Sequence, residues 1–302
     1  MNNDLVKEKN ELTAGEARRQ TISHKKTVRT ATVSAIVLFV AILVALYVLG
    51  LRYDTAKLEN GESILFIGFV RNGNWATGKI IYSTGLTGSV SVVKHTEHVD
   101  GAEITVETQV IEYSNGTRYT GEIGRDYLKN GKGMLEFASG NIYEGEFRSD
   151  SLTGIGTIHF LSGGKSKDTD PHDYYTGEFV DGKKHGEGTY TWADGSTYTG
   201  EFSNDMRHGQ GKYEDADGST FSGFYENGMK QGEGIATYID GSAYEGMFHN
   251  DMRHGYGKYY WPNGEYYEGE FKNNNITGRG TYTWPSGRTY TGLFENGIMI
   301  TE

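Results

Sequence analysis

The side chains able to do chemistry recur in this sequence at spacings that keep them apart. His185, His208 and His254 each stand one residue before a Gly-x-Gly, in register with an interval of 23 residues. Imidazoles suit a transition metal only where they converge on one ion at about 2 Å. Copies two strands apart in a repeating sheet lie roughly 9–10 Å from one another, so no shared metal is expected. Glu146, Glu178 and Glu201 recur in the same way. They are too distant for a paired acid and base, and a solvated face is expected of them. Asp168, Asp170 and Asp173 with His172 form the densest cluster. Their i, i+2, i+5 spacing suits calcium, but the glycine and closing glutamate of an EF-hand loop are missing. A solvated loop is the default there, and a hydrolase built on these carboxylates is the enzyme alternative. No Ser-His-Asp arrangement, phosphate loop or dinucleotide fingerprint occurs. The reading is therefore a chain that is not an enzyme, with no catalytic residue, no metal and no cofactor.

Binding groups are easier to find. Trp192, Trp261 and Trp284 hold one slot of the repeating pattern, with Asp215 and Tyr238 in the intervening copies. A slot that accepts Asp does not need a large ring for folding in every copy. Trp192, Tyr238, Trp261 and Trp284 are thus the candidate lining of a groove for a peptide or a sugar chain, since contiguous apolar surface marks interaction sites. Rings that only fill a concave face are the plainer account of the same residues. Arg207-His208 and Arg253-His254, with Lys183-Lys184-His185, add local basic spots expected in loops.

These groups are positioned by a repeat. Gly177, Gly200, Gly223, Gly246, Gly269 and Gly292 follow one another at 23-residue intervals, each inside aromatic-x-Gly-x-aromatic or a close variant. Tyr198-Thr199-Gly200-Glu201-Phe202 is one copy, and Tyr244, Gly246 and Phe248 repeat it. A Gly-x-Gly follows nine residues later. Tyr198, Gly200 and Phe202 share parity, so an extended strand puts them on one face and Thr197, Thr199 and Glu201 on the other. Asp194-Gly195, Asp217-Gly218, Asp240-Gly241 and Asn263-Gly264 signal tight hairpin turns between units. A looser loop such as Ser203–His208 is expected within each unit. Rings are expected to lie over the bare glycine backbone of a neighbouring strand. Upstream, Gly145 and Gly121 continue the series after a nine-residue insertion in Ser162–Asp173, and Phe66-Ile67-Gly68-Phe69 is a worn copy. The count is seven complete units, from Gly121 to Gly269, and an eighth that stops after its first strand at Gly292-Leu293-Phe294. Sixteen or so strands in a single curved layer are expected, with the rings on the concave side.

The phrase Tyr-x-Gly-Glu-Phe, then Gly-x-Gly, then Asp-Gly resembles the MORN repeat (membrane occupation and recognition nexus). Thr189–Phe202 is close to a consensus unit, and the resemblance covers Gly116–Glu302. It implies an all-β fold, an elongated single-layer antiparallel meander with one hairpin per repeat. It also implies scaffolding and dimerisation, a link to phospholipid binding, and chemistry only where a separate catalytic domain is present.

Ala31–Leu51 carries no charge and is long enough to cross a hydrocarbon layer of about 30 Å as a helix. It exceeds the usual apolar run of a signal peptide, and Leu46-Tyr47-Val48-Leu49 offers no small-residue cleavage site. An uncleaved single-pass anchor follows. Lys25, Lys26 and Arg29 abut it on the N-terminal side, so the positive-inside rule puts residues 1–30 in the cytoplasm and the repeats outside. The expected organisation is a basic tail over 1–30, a transmembrane helix over 31–51, a linker over 52–60, degenerate hairpins over 61–115 and the repeat array over 116–302. The chain is −11 overall although residues 1–30 hold seven basic and four acidic side chains. An acidic array is a poor long-range match for nucleic acid or anionic lipid. The absence of cysteine excludes disulfides and suits a bacterial envelope. The function read from the sequence is a plasma-membrane scaffold that binds another cell-envelope protein, with homo-oligomers through the terminal repeats as a further expectation. A wall-polysaccharide binder is the first alternative.

Overall fold

The computed structural model of the chain describes residues 2–57, 62–71, 74–99, 102–124, 127–161 and 166–300. One helix, Asn2–Val48, precedes one sheet. Within its C-terminal part, Lys25–Val48, an 18-residue stretch has a mean hydropathy of 2.7 and none of that stretch is buried. By length and composition it is a candidate membrane span. The helix stops where Gly50 takes a φ of 100°. Arg52 satisfies its open end by donating to the carbonyls of Tyr47 at 2.7 Å and Leu51 at 2.9 Å. The segment 31–51 therefore lies on this helix as far as Val48, and Leu51 already opens the first strand.

The expected linker is in part a strand. Leu51–Lys57 pairs antiparallel with Ser63–Phe69, placing Tyr53 opposite Ile67 and Asp54 opposite Phe66; residues 58–60 of that linker lie outside the described residues. The strand ties into the array as well, because Tyr127 donates its hydroxyl to Asp54 at 2.6 Å while its ring stacks on Phe66. An alternating segment beside an unpaired sheet edge gains ladder hydrogen bonds by joining it.

Among the described residues, 21 strands form one antiparallel meander. It exceeds the sixteen or so strands expected because the strands from Leu51 to Tyr113 join the same ladder. The last unit does not stop after one strand: Ile298–Ile300 returns along Leu293–Glu295. One row of glycines crosses the array without a break. Gly188 faces Gly200, Gly200 faces Gly211, Gly211 faces Gly223, and the pattern continues to Gly292. The parity argument holds, with Tyr198 and Phe202 buried and Thr199 exposed.

The two edges of the meander differ from expectation. The tight turns lie within units, not between them. Asn204 and Asp205 both have positive φ, 49° and 72°, and join Thr197–Ser203 directly to Met206–Glu214. This two-residue type I′ geometry matches strand twist, and Asn and Asp tolerate the left-handed region better than other side chains. Between units, Trp192–Ser196 forms the wider loop: Gly195 N–H donates to the Trp192 carbonyl at 3.0 Å and Trp192 N–H to the Ser196 carbonyl at 2.9 Å. Only Gly195 there has positive φ, the signature of a type I turn closed by a G1 bulge. Asp194 contributes its carboxylate to Ser196 N–H at 2.9 Å rather than a left-handed backbone.

Candidate functional site

The ring-bearing face is built from a lock that each unit repeats. The Tyr198 ring folds back along its own strand and covers both Gly200 and the paired Gly211, and a Cβ on Gly211 would collide with it. Its hydroxyl donates to the Glu201 carbonyl at 3.0 Å. Tyr175, Tyr244 and Tyr267 do the same to the carbonyls of Glu178, Met247 and Glu270. The expected shielding of glycine by rings is present, with the difference that each ring covers its own strand as well as the next.

These locks are joined edge to face. Tyr175 meets Phe202 at 4.9 Å, Phe202 meets Tyr198 at 5.1 Å, Tyr198 meets Tyr225 at 5.1 Å, and the chain of T-shaped contacts runs from Tyr119 to Tyr290. Each such pair contributes about 0.5–1.5 kcal/mol beyond its area. Burial pushes the hydroxyls of Tyr143, Tyr198, Tyr244 and Tyr267 up to about 12.

The tryptophans form a second, outer row. Trp192 lies against Tyr190 at 4.6 Å and Tyr213 at 5.6 Å, and Trp261 against Tyr259 at 4.8 Å and Tyr282 at 5.4 Å. Both are half-buried against the core. Trp284 meets Tyr282, and Arg288 covers one of its ring faces at 4.1 Å. Tyr238 is more exposed, 6.4 Å from Tyr259. Each tryptophan stands at the first position of the between-unit turn rather than on a strand face.

Arg207 and Arg253 are not loop residues. They sit on the strands Met206–Glu214 and Met252–Tyr260, in one slot with Lys184 and Lys230. Arg207 lies 4.9 Å from the Tyr225 ring and donates to the Gly228 carbonyl at 2.7 Å, and Arg253 lies 4.9 Å from the Tyr259 ring. Burial lowers the ammonium pKa of Lys184 and Lys230 from the ordinary lysine value. This row is packed into the ring face, so the basic spots are cation–π pairs. His185 and His208 offer their carbonyls to the ring hydroxyls of Tyr175 and Tyr198, each at 3.4 Å. The His254 ring lies 5.7 Å from that of His249.

The repeated glutamates have work inside the fold. The register shifts between Gly200 and Phe202, and Gly209 takes a φ of 59° in the resulting bulge. Glu201 lies across that glycine and accepts the Gln210 N–H at 2.9 Å. Glu178 and Glu270 accept the N–H groups of Glu187 and Arg279 in the same way, and Glu146 lies across Gly154. The bulge draws these carboxylates onto the backbone, which corrects the expectation of a merely solvated row.

The Asp168–Asp173 cluster does not converge. Asp170 accepts the Ser166 N–H at 2.7 Å, while Asp173 accepts the Tyr190 hydroxyl at 2.9 Å and the Ala193 N–H at 2.9 Å. His172 pairs with His159 at 2.8 Å. Among the described residues no three His, Asp or Glu side chains are arranged as metal ligands.

Two large hollows open on the opposite face from the rings. One of about 870 Å³ is lined by Glu233, Ile235, Glu245, Met247, Tyr256 and Lys258; another of about 900 Å³ lies over Ser91, Gln109 and Glu122. On the ring side, a hollow of about 220 Å³ lies beside Trp261, Arg253 and Ile276. The expected aromatic groove is thus shallow, because stacked rings fill that side. Sequence reading missed the polar-face hollow; comparing slots would have found it, since Met247 stands where other units carry Glu.

A profile of the MORN repeat matches residues 119–142, 143–165, 175–197, 198–220, 221–243, 244–266 and 267–287, more than half of the chain. The chain belongs to the MORN-repeat family. The matched MORN units begin at the locking aromatic, and the six from residue 143 onward each enclose one two-residue hairpin turn. No curated protein matches the sequence. The MORN array with its apolar helix is a repeat scaffold and a candidate for membrane association.

Proposed function

We propose that this chain is a single-pass plasma-membrane protein whose MORN array stands outside the cytoplasm and holds another cell-envelope protein in place. The observation that carries this reading is the fully unburied apolar run over residues 31–48, leading within three residues into a one-layer sheet. Such a sheet leaves long surfaces and no enclosed core in which to build a reaction site. Lys25, Lys26 and Arg29 precede the apolar run, and the charge of the whole chain is nonetheless −11. The basic flank favours an N-terminus inside, and the acidic balance favours a protein partner over anionic lipid or nucleic acid. Protein is favoured over sugar because the outer rings are turned into one another and Arg288 covers a face of Trp284, whereas sugars stack on free ring faces.

Protease added to intact, wall-stripped cells tests the topology: the array is digested, while its protection would overturn the envelope assignment. Cross-linking in the same cells followed by mass spectrometry tests the partner class.

A further inference from the structure

In the MORN units ending at residues 142, 165, 197, 220 and 287, the third residue of the locking phrase is followed by Glu: Glu122, Glu146, Glu178, Glu201 and Glu270. The adjacent units 221–243 and 244–266 carry Phe224 and Met247 there. Both forgo the carboxylate that Glu201 and Glu270 direct to the bulge N–H, and neither residue is buried in exchange. Phe224 is 36% exposed and Met247 38%. Two further residues break the polar pattern on the same face. Ile235, 50% exposed, stands where Thr189 and Thr281 stand in other units, and Tyr256, 59% exposed, where Gln210 stands.

The register brings three of them together. Ile235 faces Glu245, two pairs along from Glu233 and Met247, and Tyr256 lies on the next strand beside the Met247 bulge. These three line the hollow of about 870 Å³ with Glu233, Glu245, Glu268 and Lys258. Phe224 stands outside that lining, opposite Gln210, with its ring 6.1 Å from that of His208. Lys258 already pairs with Glu268 at 3.7 Å and lies 4.2 Å from the Tyr266 ring. Among the described residues, Glu233 and Glu245 take part in no ion pair, and both are exposed. An apolar floor with unpaired carboxylates at its rim selects its occupant by charge. A second copy of this face would set carboxylate against carboxylate.

We infer that this hollow docks an extended peptide segment in which apolar residues alternate with lysine or arginine. The inference deepens the scaffold reading above and rests on it for the partner being a protein. Apolar side chains of the segment enter between Ile235, Met247 and Tyr256, and its cations meet Glu233 and Glu245.

The test uses the full chain in zwitterionic lipid nanodiscs, with empty nanodiscs as blank. The probes are a labelled peptide of alternating leucine and lysine, the same peptide with glutamate for lysine, and one with serine for leucine. Binding of the first probe alone is expected. Met247→Glu restores the residue of the other units, so the melting temperature holds or rises while affinity falls at least about tenfold, the loss expected when a central apolar anchor is removed. Ile235→Thr gives a second, milder loss with the residue other units use. Glu233→Gln with Glu245→Gln weakens binding and flattens its salt dependence. Unchanged affinity in the Met247→Glu variant, or equal binding of the glutamate peptide, overturns the inference. So does a wild-type dimer that the variant turns into a monomer, which would make a second copy the occupant. Protection of the array in the protease experiment would overturn the envelope reading and leave the peptide result standing.

Discussion

At the scale of single residues, the array rests on one aromatic side chain spending its whole surface on two glycines. Tyr244 is fully buried, covers Gly246 and Gly257, and links Phe248 to Phe271 through T-shaped contacts at 5.1 and 5.0 Å. Tyr244→Ala therefore leaves a cavity and uncovers two glycine backbones, and it should cost about 3–5 kcal/mol in denaturant unfolding. Gly257→Val approaches the same contact from the other side and should cost at least about 1–3 kcal/mol by overpacking. A second expectation concerns pH. Tyr143, Tyr198, Tyr244 and Tyr267 have hydroxyls raised by burial to about 12 in the folded state, against about 10 in an unfolded chain. A raised folded pKa means that the associated stability is complete below pH 10 and is lost as pH climbs toward 12. Lys184 and Lys230, lowered by burial, work in the opposite sense but are fewer. Melting temperature should thus fall steeply between pH 10 and 12, with the phenolate absorbance of the buried tyrosines rising only as the fold is lost. Ionisation of all tyrosines near pH 10 in a folded protein would contradict the lock. This part was legible in the sequence because parity alone puts Tyr198, Gly200 and Phe202 on one face. The carboxylate of Glu201 was not, since parity cannot show a bulge that turns a polar-face side chain onto backbone N–H groups.

At the scale of elements, the hairpin is the unit, and its turn also ties one unit to the one before. Asp205 has a φ of 72°, its N–H donates to the Lys184 carbonyl at 3.0 Å, and its carboxylate accepts the Lys184 N–H at 3.0 Å. Asp251 repeats this with Lys230, and Asn274 with Arg253. Asp205→Gly keeps the backbone free to hold its φ and removes only the carboxylate bond, so it should cost about 1 kcal/mol. Asn204→Ala removes the side chain that tolerates φ of 49° and should cost about 1–2 kcal/mol, while Asn204→Gly should be close to neutral. Chemical unfolding of the three variants checks the order. The turns explain why the sequence was misread here. Asp-Gly reads as a tight turn by pattern, yet Asp194 spends its carboxylate on Ser196 N–H and leaves the positive φ to Gly195 alone. Asn204-Asp205 lacks glycine and so reads as an ordinary polar loop, although both residues adopt the left-handed region.

At the scale of the whole molecule, contacts run between neighbouring strands, and the chain is a line of similar pieces fixed to an apolar helix. The glycine row and the ring chain pass through every unit from Tyr119 to Tyr290 with the same spacing. A piece can then be removed without changing what any remaining piece must touch, provided that the cut respects the unit. Deleting residues 198–220 joins Thr197 to Phe221 at the boundary of two matched units. Tyr175, which now packs on Phe202 at 4.9 Å, would meet Tyr225, the residue in the same slot. In a nearest-neighbour array, stability is a sum of unit terms and interface terms, so this deletion subtracts one of each. The shortened protein should unfold in one transition, with a melting temperature a few degrees lower and a smaller denaturant slope, because that slope follows the surface exposed. Tyr244→Ala changes one side chain, yet it should lower stability at least as much, since it interrupts the ring chain instead of shortening it. If the clean deletion abolishes folding while Tyr244→Ala is tolerated, stability does not reside in the stacked units and the linear account fails. The same line of units explains where the docking hollow was hidden. Averaged over the repeat, the polar face is Thr, Glu and Gln, and the period conceals any copy that departs from it. Ile235, Met247 and Tyr256 become visible only when adjacent units are compared slot by slot and the register places all three on one stretch of sheet.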